Sequence, residues 1–316
     1  MIGLYLLAIA GAVAVSMPRV LVSAHWVRRS PKLGIAAWYS TLIAVTVGAG
    51  AALFVWIAPW QGPHAFACRL WHWCTDAADG GHGPAGRILL SLVLVAAVTL
   101  TIRLAASGVT TTRSAAIRRG HHRYLLSMVG TFAPQWDATV IDDPRPAAYV
   151  LAGPLRHVVL TTGALEALSG DEIAAVIAHE RAHAAGRHDL VLDGARLLTT
   201  AFPRIGVFAT AHAHLIRLIE IRADDIATTH RNPLSLARAL VTMASASANI
   251  AGRPTLAATG GDAMQRLDRL LTPPPPLSRP QTWFISAALL TLAGSPLLVL
   301  AVTVLFPGLT TMPVSI

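Results

Sequence analysis

The sequence predicts a mainly α-helical, polytopic membrane protein with four transmembrane helices and an α+β domain on the cytoplasmic side. Hydrophobic residues make up 54% of the 316 residues and charged residues only 13%. The mean hydropathy of +0.55 is also far above that of a soluble domain. Four long segments carry almost no charge, and the polar stretch before the last of them alternates strand-like and helix-like patterns. The composition therefore excludes an ordinary soluble protein.

Four apolar segments are long enough to cross about 30 Å of membrane hydrocarbon, for which a helix needs about 20 residues. These predicted spans cover about residues 2–24, 33–60, 86–107 and 283–306. The third is the weakest because its uncharged part lies between Arg87 and Arg103, and a buried core helix is the alternative there. The spans divide the chain into a membrane region (1–107), a polar domain (108–280), and a C-terminal region with the fourth span and a short tail (281–316).

Basic residues predict the orientation of the spans. Arg28, Arg29 and Lys32 follow the first span with no acid nearby. The positive-inside rule then places this loop in the cytoplasm and the N-terminus outside. The loop over residues 61–86 is expected outside, the arginine-rich segment over residues 107–279 inside, and the C-terminal tail outside. No basic residue precedes the first apolar run, so it does not have the form of a signal peptide.

The net charge of +9 does not predict nucleic-acid binding. The arginines follow the cytoplasmic flanks of the spans, and no nucleic-acid-binding motif is present. We therefore expect the basic residues to face the lipid bilayer, where they attract anionic headgroups, and expect no direct contact with nucleic acid.

The only cysteines, Cys68 and Cys74, lie in the predicted external loop. Compartment and spacing permit a disulfide between them, and two unpaired thiols are the alternative. Neither cysteine is available to a site in the cytoplasmic domain.

The polar domain begins with strand patterns and continues with helical ones. Short strands are expected over residues 138–141, 147–151 and 158–161. Later elements are expected as helices over residues 220–229 and 234–247, a loop over residues 252–261, and a stiff proline connector over residues 273–280. The pattern predicts a small sheet beside several helices.

The segment after the strands carries an H-E-x-x-H pentad at residues 179–183 on a predicted helix. Ser169 and Glu172 have the spacing of a capping box at its start, and Gly186 provides a stop. A spacing of four residues puts both imidazoles on one helix face, where they can bind one Zn²⁺. Chance gives roughly 0.007 such pentads in a chain of this composition. Glu180 lies beside that face and can reach a water without being a ligand.

Zinc needs a third protein ligand besides His179 and His183, and an open position for water. Two acidic residues are candidates. Glu220 lies on the later helix, with Asp224 one turn further on the same face, where it can hold a ligand by a hydrogen bond. Asp189 would extend the pentad in the manner of the metzincins, but no loop is evident that would turn its side chain back to the histidines.

Five short segments carry a family resemblance, at residues 149–153, 158–163, 179–183, 220–224 and 232–237. In this order they resemble integral-membrane zinc peptidases of the HtpX and CAAX-prenyl-protease type, and more closely the regulatory peptidases of the BlaR/MecR type. The resemblance implies a gluzincin-like fold with His179, His183 and Glu220 on zinc. BlaR/MecR proteins carry a large extracellular penicillin-binding sensor after their last membrane helix, for which we expect no room in this chain.

The pentad and the resemblance together predict a membrane-embedded zinc metallopeptidase. Glu180 is the expected general base, and an edge strand of the small sheet is expected to accept an extended substrate. The expected substrate is a cytoplasmic protein, and a BlaI-type transcriptional repressor in a cell-wall-stress or β-lactam response is the first hypothesis. A housekeeping protease of the HtpX type is the alternative, and a non-proteolytic membrane sensor scaffold is the second alternative. The sequence is compatible with an oligomer.

Overall fold

The computed structural model describes residues 2–57, 84–151, 157–229, 231–251 and 256–305. The helices of this part of the chain are α1 (Ile2–Ser23), α2 (His25–Arg29), α3 (Pro31–Ile57), α4 (Pro84–Val129), α5 (Thr162–Ala167), α6 (Gly170–Ala185), α7 (His188–Ala201), α8 (Gly206–Ala227), α9 (Pro233–Ala251), α10 (Leu256–Leu271) and α11 (Arg279–Leu305). The strands are β1 (Thr131–Ala133), β2 (Ala138–Ile141), β3 (Ala148–Val150) and β4 (Val158–Thr161). Cys68 and Cys74 lie outside the described residues, so the disulfide between them stays a prediction.

Four helices in these ranges are long and apolar enough to cross a membrane. They cover Ile2–Ser23, Pro31–Val55, Ser91–Val129 and Arg279–Val302. The mainly helical fold with four candidate spans and a small sheet is therefore confirmed. Large apolar side chains on these helices, such as Leu4, Val95 and Leu290, are exposed, which fits contact with lipid rather than with water. The chain is a multi-pass membrane protein.

α4 is one continuous helix of 46 residues, about 69 Å long at the usual helical rise. The third predicted span covers only its first half. The second half continues as a helix because α4 packs along α7. Near the middle of α4, Arg103 donates a hydrogen bond of 3.1 Å to the carbonyl of Ala201. Further along, Arg119 lies 3.8 Å from the carboxylate of Asp193. The boundary predicted after residue 107 therefore falls inside one helix.

α3 and α8 join the membrane helices to the rest of the protein. α1 and α11 both pack on α3. The side chain of Trp38 is fully buried in a core shared with Phe208 and Leu215 of α8. Its ring also stacks on His214 with ring centroids 5.3 Å apart. Because α8 also carries Glu220, one helix runs from the membrane bundle to the predicted metal ligand.

A four-stranded sheet with the order β1-β2-β4-β3 lies beside α6. β2 and β4 are parallel, and the outer strands β1 and β3 are each antiparallel to their neighbour. Val158 and Leu160 of β4 are buried against Ile173 and Val176 of α6. The three predicted strands are present within one residue at each end, whereas β1 was not predicted. β3 forms an edge of the described sheet.

The loop predicted over residues 252–261 is wrong in its second half, because α10 begins at Leu256. Gly260 and Gly261 give this segment a loop-like composition, since each glycine costs a helix interior about 1 kcal/mol relative to alanine. Contacts further along the helix offset that cost, because Leu270 is buried in a core shared with α6, α8 and α9.

Candidate active site

α6 holds the pentad beside α8. The helix begins as the sequence predicts: the carboxylate of Glu172 accepts a hydrogen bond of 2.8 Å from the backbone N–H of Ser169, which satisfies one of the free donors at a helix start. The helix ends at Ala185, directly before Gly186. Another face of α6 is buried against the sheet through Ile173, Val176 and Ile177. These contacts fix the helix so that its two pentad histidines reach α8.

Three donors converge between α6 and α8. Nε2 of His179 and Nε2 of His183 are 3.0 Å apart. The carboxylate oxygens of Glu220 lie 3.6 Å from Nε2 of His179 and 3.5 Å from Nε2 of His183. Ligands bound at about 2.0–2.1 Å to a tetrahedral zinc are separated from one another by about 3.4 Å. The cluster of His179, His183 and Glu220 therefore fits a zinc site.

Asp224 lies behind His179, on the side away from the other two donors. Its Oδ1 is 2.9 Å from Nδ1 of His179, and its side chain is 2% exposed. Burial alone would raise the pKa of this carboxyl, but hydrogen bonds from His179 and Arg266 hold the pKa below its ordinary value. Asp224 is therefore a carboxylate, and a hydrogen bond at Nδ1 leaves Nε2 of His179 to face the cluster.

Arg266 of α10 is a site residue that the sequence did not indicate. Its Nε and Nη2 donate to the two oxygens of Asp224 at 2.7 and 2.8 Å, the bidentate geometry in which arginine binds carboxylates best. Its Nη1 lies 2.9 Å from Oε2 of Glu220. Arg266 was missed because α10 starts in a segment that reads as a loop. The sequence shows only that Arg266 is a basic residue on an amphipathic helix. That pattern does not indicate which acidic residues it contacts.

The carboxylates make the cluster attractive to cations. Burial alone would lower the pKa of His179, yet hydrogen bonds to Asp224 and Glu220 raise it to about 9. Burial and the neighbouring His179 lower the pKa of His183, so its imidazole is neutral at physiological pH. A potential that favours a proton on one imidazole also favours a metal cation placed between the two.

Glu180 borders the same cavity as the three donors. This cavity has a volume of about 660 Å³ and is lined by parts of β3, α4, α6, α7 and α8. Burial raises the pKa of the Glu180 carboxyl to about 7, and the backbone of Val150 in the edge strand β3 hydrogen-bonds to it. A carboxyl with a pKa near neutrality is suited to taking up and releasing a proton.

Asp189 borders this cavity as well but does not join the donor cluster. In the part of the chain that the structure describes, the donors found within 4.8 Å of one another belong to His179, His183 and Glu220. Asp189 is exposed at the second position of α7. The structure thus brings Glu220, and not Asp189, to the two histidines.

Comparison with known families agrees with this geometry. The sequence model of peptidase family M48 matches residues 112–273, just over half of the chain. The matched region contains α6, α8 and α10, and so the whole cluster. No solved structure matches the chain. The protein belongs to peptidase family M48, whose members depend on zinc, and is a membrane zinc metalloendopeptidase with a His-His-Glu candidate metal site.

Proposed function

We propose that zinc in this peptidase is held by His179, His183 and Glu220, and that Glu180 is its general base. The convergence of the three donors, with a proton-accepting carboxyl bordering the same cavity, carries this assignment. Asp224 supports it, because its contact with Nδ1 of His179 turns the other ring nitrogen toward the cluster.

Hydrolysis requires that water attack the carbonyl carbon of a peptide bond while a proton reaches the leaving nitrogen. When bound at the three donors, Zn²⁺ lowers the pKa of a water toward ~7 and polarises the carbonyl. The carboxylate of Glu180 accepts a proton from the attacking water and passes it to the amine nitrogen as the C–N bond breaks. Because the pKa of Glu180 is about 7, its carboxyl is suited to both steps near neutral pH.

The edge strand β3 is proposed to hold the backbone of the substrate. β3 pairs with β4 along one edge, and residues 148–151 border the cavity. An extended peptide that adds to the sheet here runs beside Glu180, because Val150 of the same strand contacts that side chain. Tyr149 joins the strand to α4, since its Oη lies 2.8 Å from Nε2 of His122.

The proposed substrate is a cytoplasmic protein, with a BlaI-type transcriptional repressor in a cell-wall-stress or β-lactam response as the first candidate. The basic residues after the first span, Arg28, Arg29 and Lys32, support a cytoplasmic site by the positive-inside rule. The order of segments shared with BlaR/MecR peptidases supports a repressor. Such a protease makes defined cuts in one folded target, whereas a housekeeping protease degrades many unfolded ones.

The test mixes the purified full-length protein with a BlaI-type repressor and compares it with Glu180→Gln, which removes the base without removing a ligand. We expect defined fragments from the wild type and a rate about 10²–10⁴-fold lower for the variant. Equal cleavage by Glu180→Gln would reject Glu180 as the base. Degradation of an unfolded protein by a wild type that leaves the repressor intact would favour the HtpX-type housekeeping role.

A further inference from the structure

The connection between α6 and α7 folds a further histidine back onto the metal cluster. Arg187 adopts a left-handed backbone conformation with φ of 48°, which turns the chain sharply after α6. His188, the first residue of α7, is only 5% exposed. Its Nδ1 lies 3.0 Å from Nδ1 of His183, and the two rings meet edge to face with centroids 4.8 Å apart.

Gly186 makes this approach of the two rings possible. A Cβ at this position would lie 2.3 Å from Nε2 of His188, which is too close for any real contact. The backbone of Gly186 has φ of −75° and ψ of −5°, values that any residue adopts, so its conformation does not require glycine. Glycine is needed at this position because any side chain would occupy the space of the His188 ring.

The proposed metal position determines which of the two histidines donates a proton in this contact. If Nε2 of His183 binds the metal, as proposed above, its Nδ1 carries the ring proton and needs an acceptor. Nδ1 of His188 lies at hydrogen-bond distance from it and can accept that proton in the tautomer that carries its own proton on Nε2. His188 therefore contacts the Nδ1 side of His183 in the same way that Asp224 contacts the Nδ1 side of His179.

We propose that His188 is a positioning residue of the metal centre, which accepts the Nδ1–H of His183 and so fixes the ring with Nε2 on the metal. The inference rests on the proposed assignment of His183 as a ligand. His188 is not itself one of the closely spaced donors among the described residues. The turn at Gly186 and Arg187 brings the ring of His188 back to His183, whereas Asp189, the next residue, stays outside the donor cluster.

The test measures zinc affinity of the full-length protein by competition with a chromophoric chelator, together with the visible spectrum of the Co²⁺-loaded form at saturating metal. His188→Ala is expected to weaken zinc binding by about 10–100-fold and to alter the Co²⁺ spectrum, because the ring of His183 becomes free to tilt. His188→Asn places an amide oxygen near the position of Nδ1 and is expected to restore both.

Two further variants separate positioning from general destabilisation. Gly186→Ala keeps the histidine but displaces its ring, and is expected to change affinity and spectrum in the same direction as His188→Ala. His212→Ala removes a half-buried histidine that borders a different cavity and is expected to change neither. Thermal unfolding of the metal-free variants shows which of them fold. If His188→Ala does not fold, Gly186→Ala decides the question.

Unchanged affinity and spectrum in His188→Ala, or in Gly186→Ala where that variant decides, overturn the proposal. Equal losses in His188→Ala and His212→Ala overturn it as well, because they show a general loss of stability. A loss in His188→Ala as complete as in His183→Ala would make His188 a ligand and not a positioning residue. Full zinc occupancy in His183→Ala would instead overturn the ligand assignment, whatever the substitutions at position 188 do.

Discussion

At the scale of single residues, the charges around the cluster are arranged to leave room for one cation. Glu220 and Asp224 bring two carboxylates close to the histidines, and Arg266 contacts both of them. One guanidinium against two carboxylates leaves a net negative charge, which zinc can neutralise. The side chains of Arg266 and Asp224 are largely buried. Separating them would leave a buried charge without a partner, which is costly, so burial holds the pair together.

The choice between the two acidic ligand candidates can be tested by matched truncations. Glu220→Ala is expected to lose zinc and activity almost entirely, because it removes one of the three converging donors. Asp189→Ala is expected to keep zinc binding near the wild-type level, because Asp189 is exposed and lies outside the cluster. Metal analysis and peptide cleavage measure both effects, and the opposite order would move the site to the metzincin arrangement.

The sequence predicted those site residues that follow a periodic spacing. His179 and His183 are four residues apart on one helix, and Glu220 and Asp224 repeat that spacing on another. Arg266 and His188 could not be predicted in this way. Arg266 reaches the site across a helix–helix contact from a segment with a loop-like composition, and His188 reaches it through a turn whose left-handed residue is an arginine.

At the scale of elements, the sheet is joined to the helices by a tightly packed turn from β4 into α5, and a substitution at Gly163 tests that packing. A Cβ on Gly163 would lie 2.2 Å from the carbonyl oxygen of Pro144, a backbone atom that cannot easily move. Gly163→Ala is therefore expected to lower the free energy of unfolding by about 1–3 kcal/mol, measured by thermal unfolding of the full-length protein.

The matched control for this prediction is Gly170→Ala at the start of α6. A Cβ there meets Trp136 at 3.7 Å, an ordinary contact. Its stability is expected to equal or slightly exceed that of the wild type, because alanine favours a helix over glycine by roughly 1 kcal/mol or less. Equal stability of the two variants would contradict the close packing at Gly163.

The elements that the sequence predicted best are those with a strong local pattern. The spans are long and carry almost no charge, and β2 and β4 match the predicted strands residue for residue. The length of α4 and the start of α10 were not predictable, because packing on other elements decides them. Arg119 holds α4 to α7 through Asp193, and Arg269 holds α10 to α8 through a pair of hydrogen bonds to Asp225 at 3.0 and 2.9 Å.

At the scale of the whole molecule, the membrane helices and the peptidase elements are packed as one body. α8 shares a core with α3. The first basic loop is also tied to α10 and to the proline connector. Arg269 donates a hydrogen bond of 2.6 Å to the carbonyl of Arg28, and Arg29 donates to the carbonyls of Pro275 and Pro276, each at 3.0 Å. Measurements on the full-length protein are therefore the appropriate ones.

The proposed orientation of this body predicts where reporters will lie. A reporter fused after Gly130, at the end of α4, is expected to read cytoplasmic, and one placed within residues 61–83 is expected to read external, because basic residues flank the inner ends of the spans. A reporter fused after Arg29 serves as a second cytoplasmic reference. If the first two reporters read the same side, α4 does not cross the membrane.

The central claim, a zinc peptidase centre built by His179, His183 and Glu220 with Glu180 as its base, is tested most directly by one paired measurement. Zinc content and cleavage of a protein substrate are determined on the same preparations of full-length protein. We expect one zinc per chain in the wild type and in Glu180→Gln, cleavage by the wild type alone, and neither zinc nor cleavage in His179→Ala and His183→Ala. Full zinc occupancy in both histidine variants, or full cleavage by Glu180→Gln, would contradict the account.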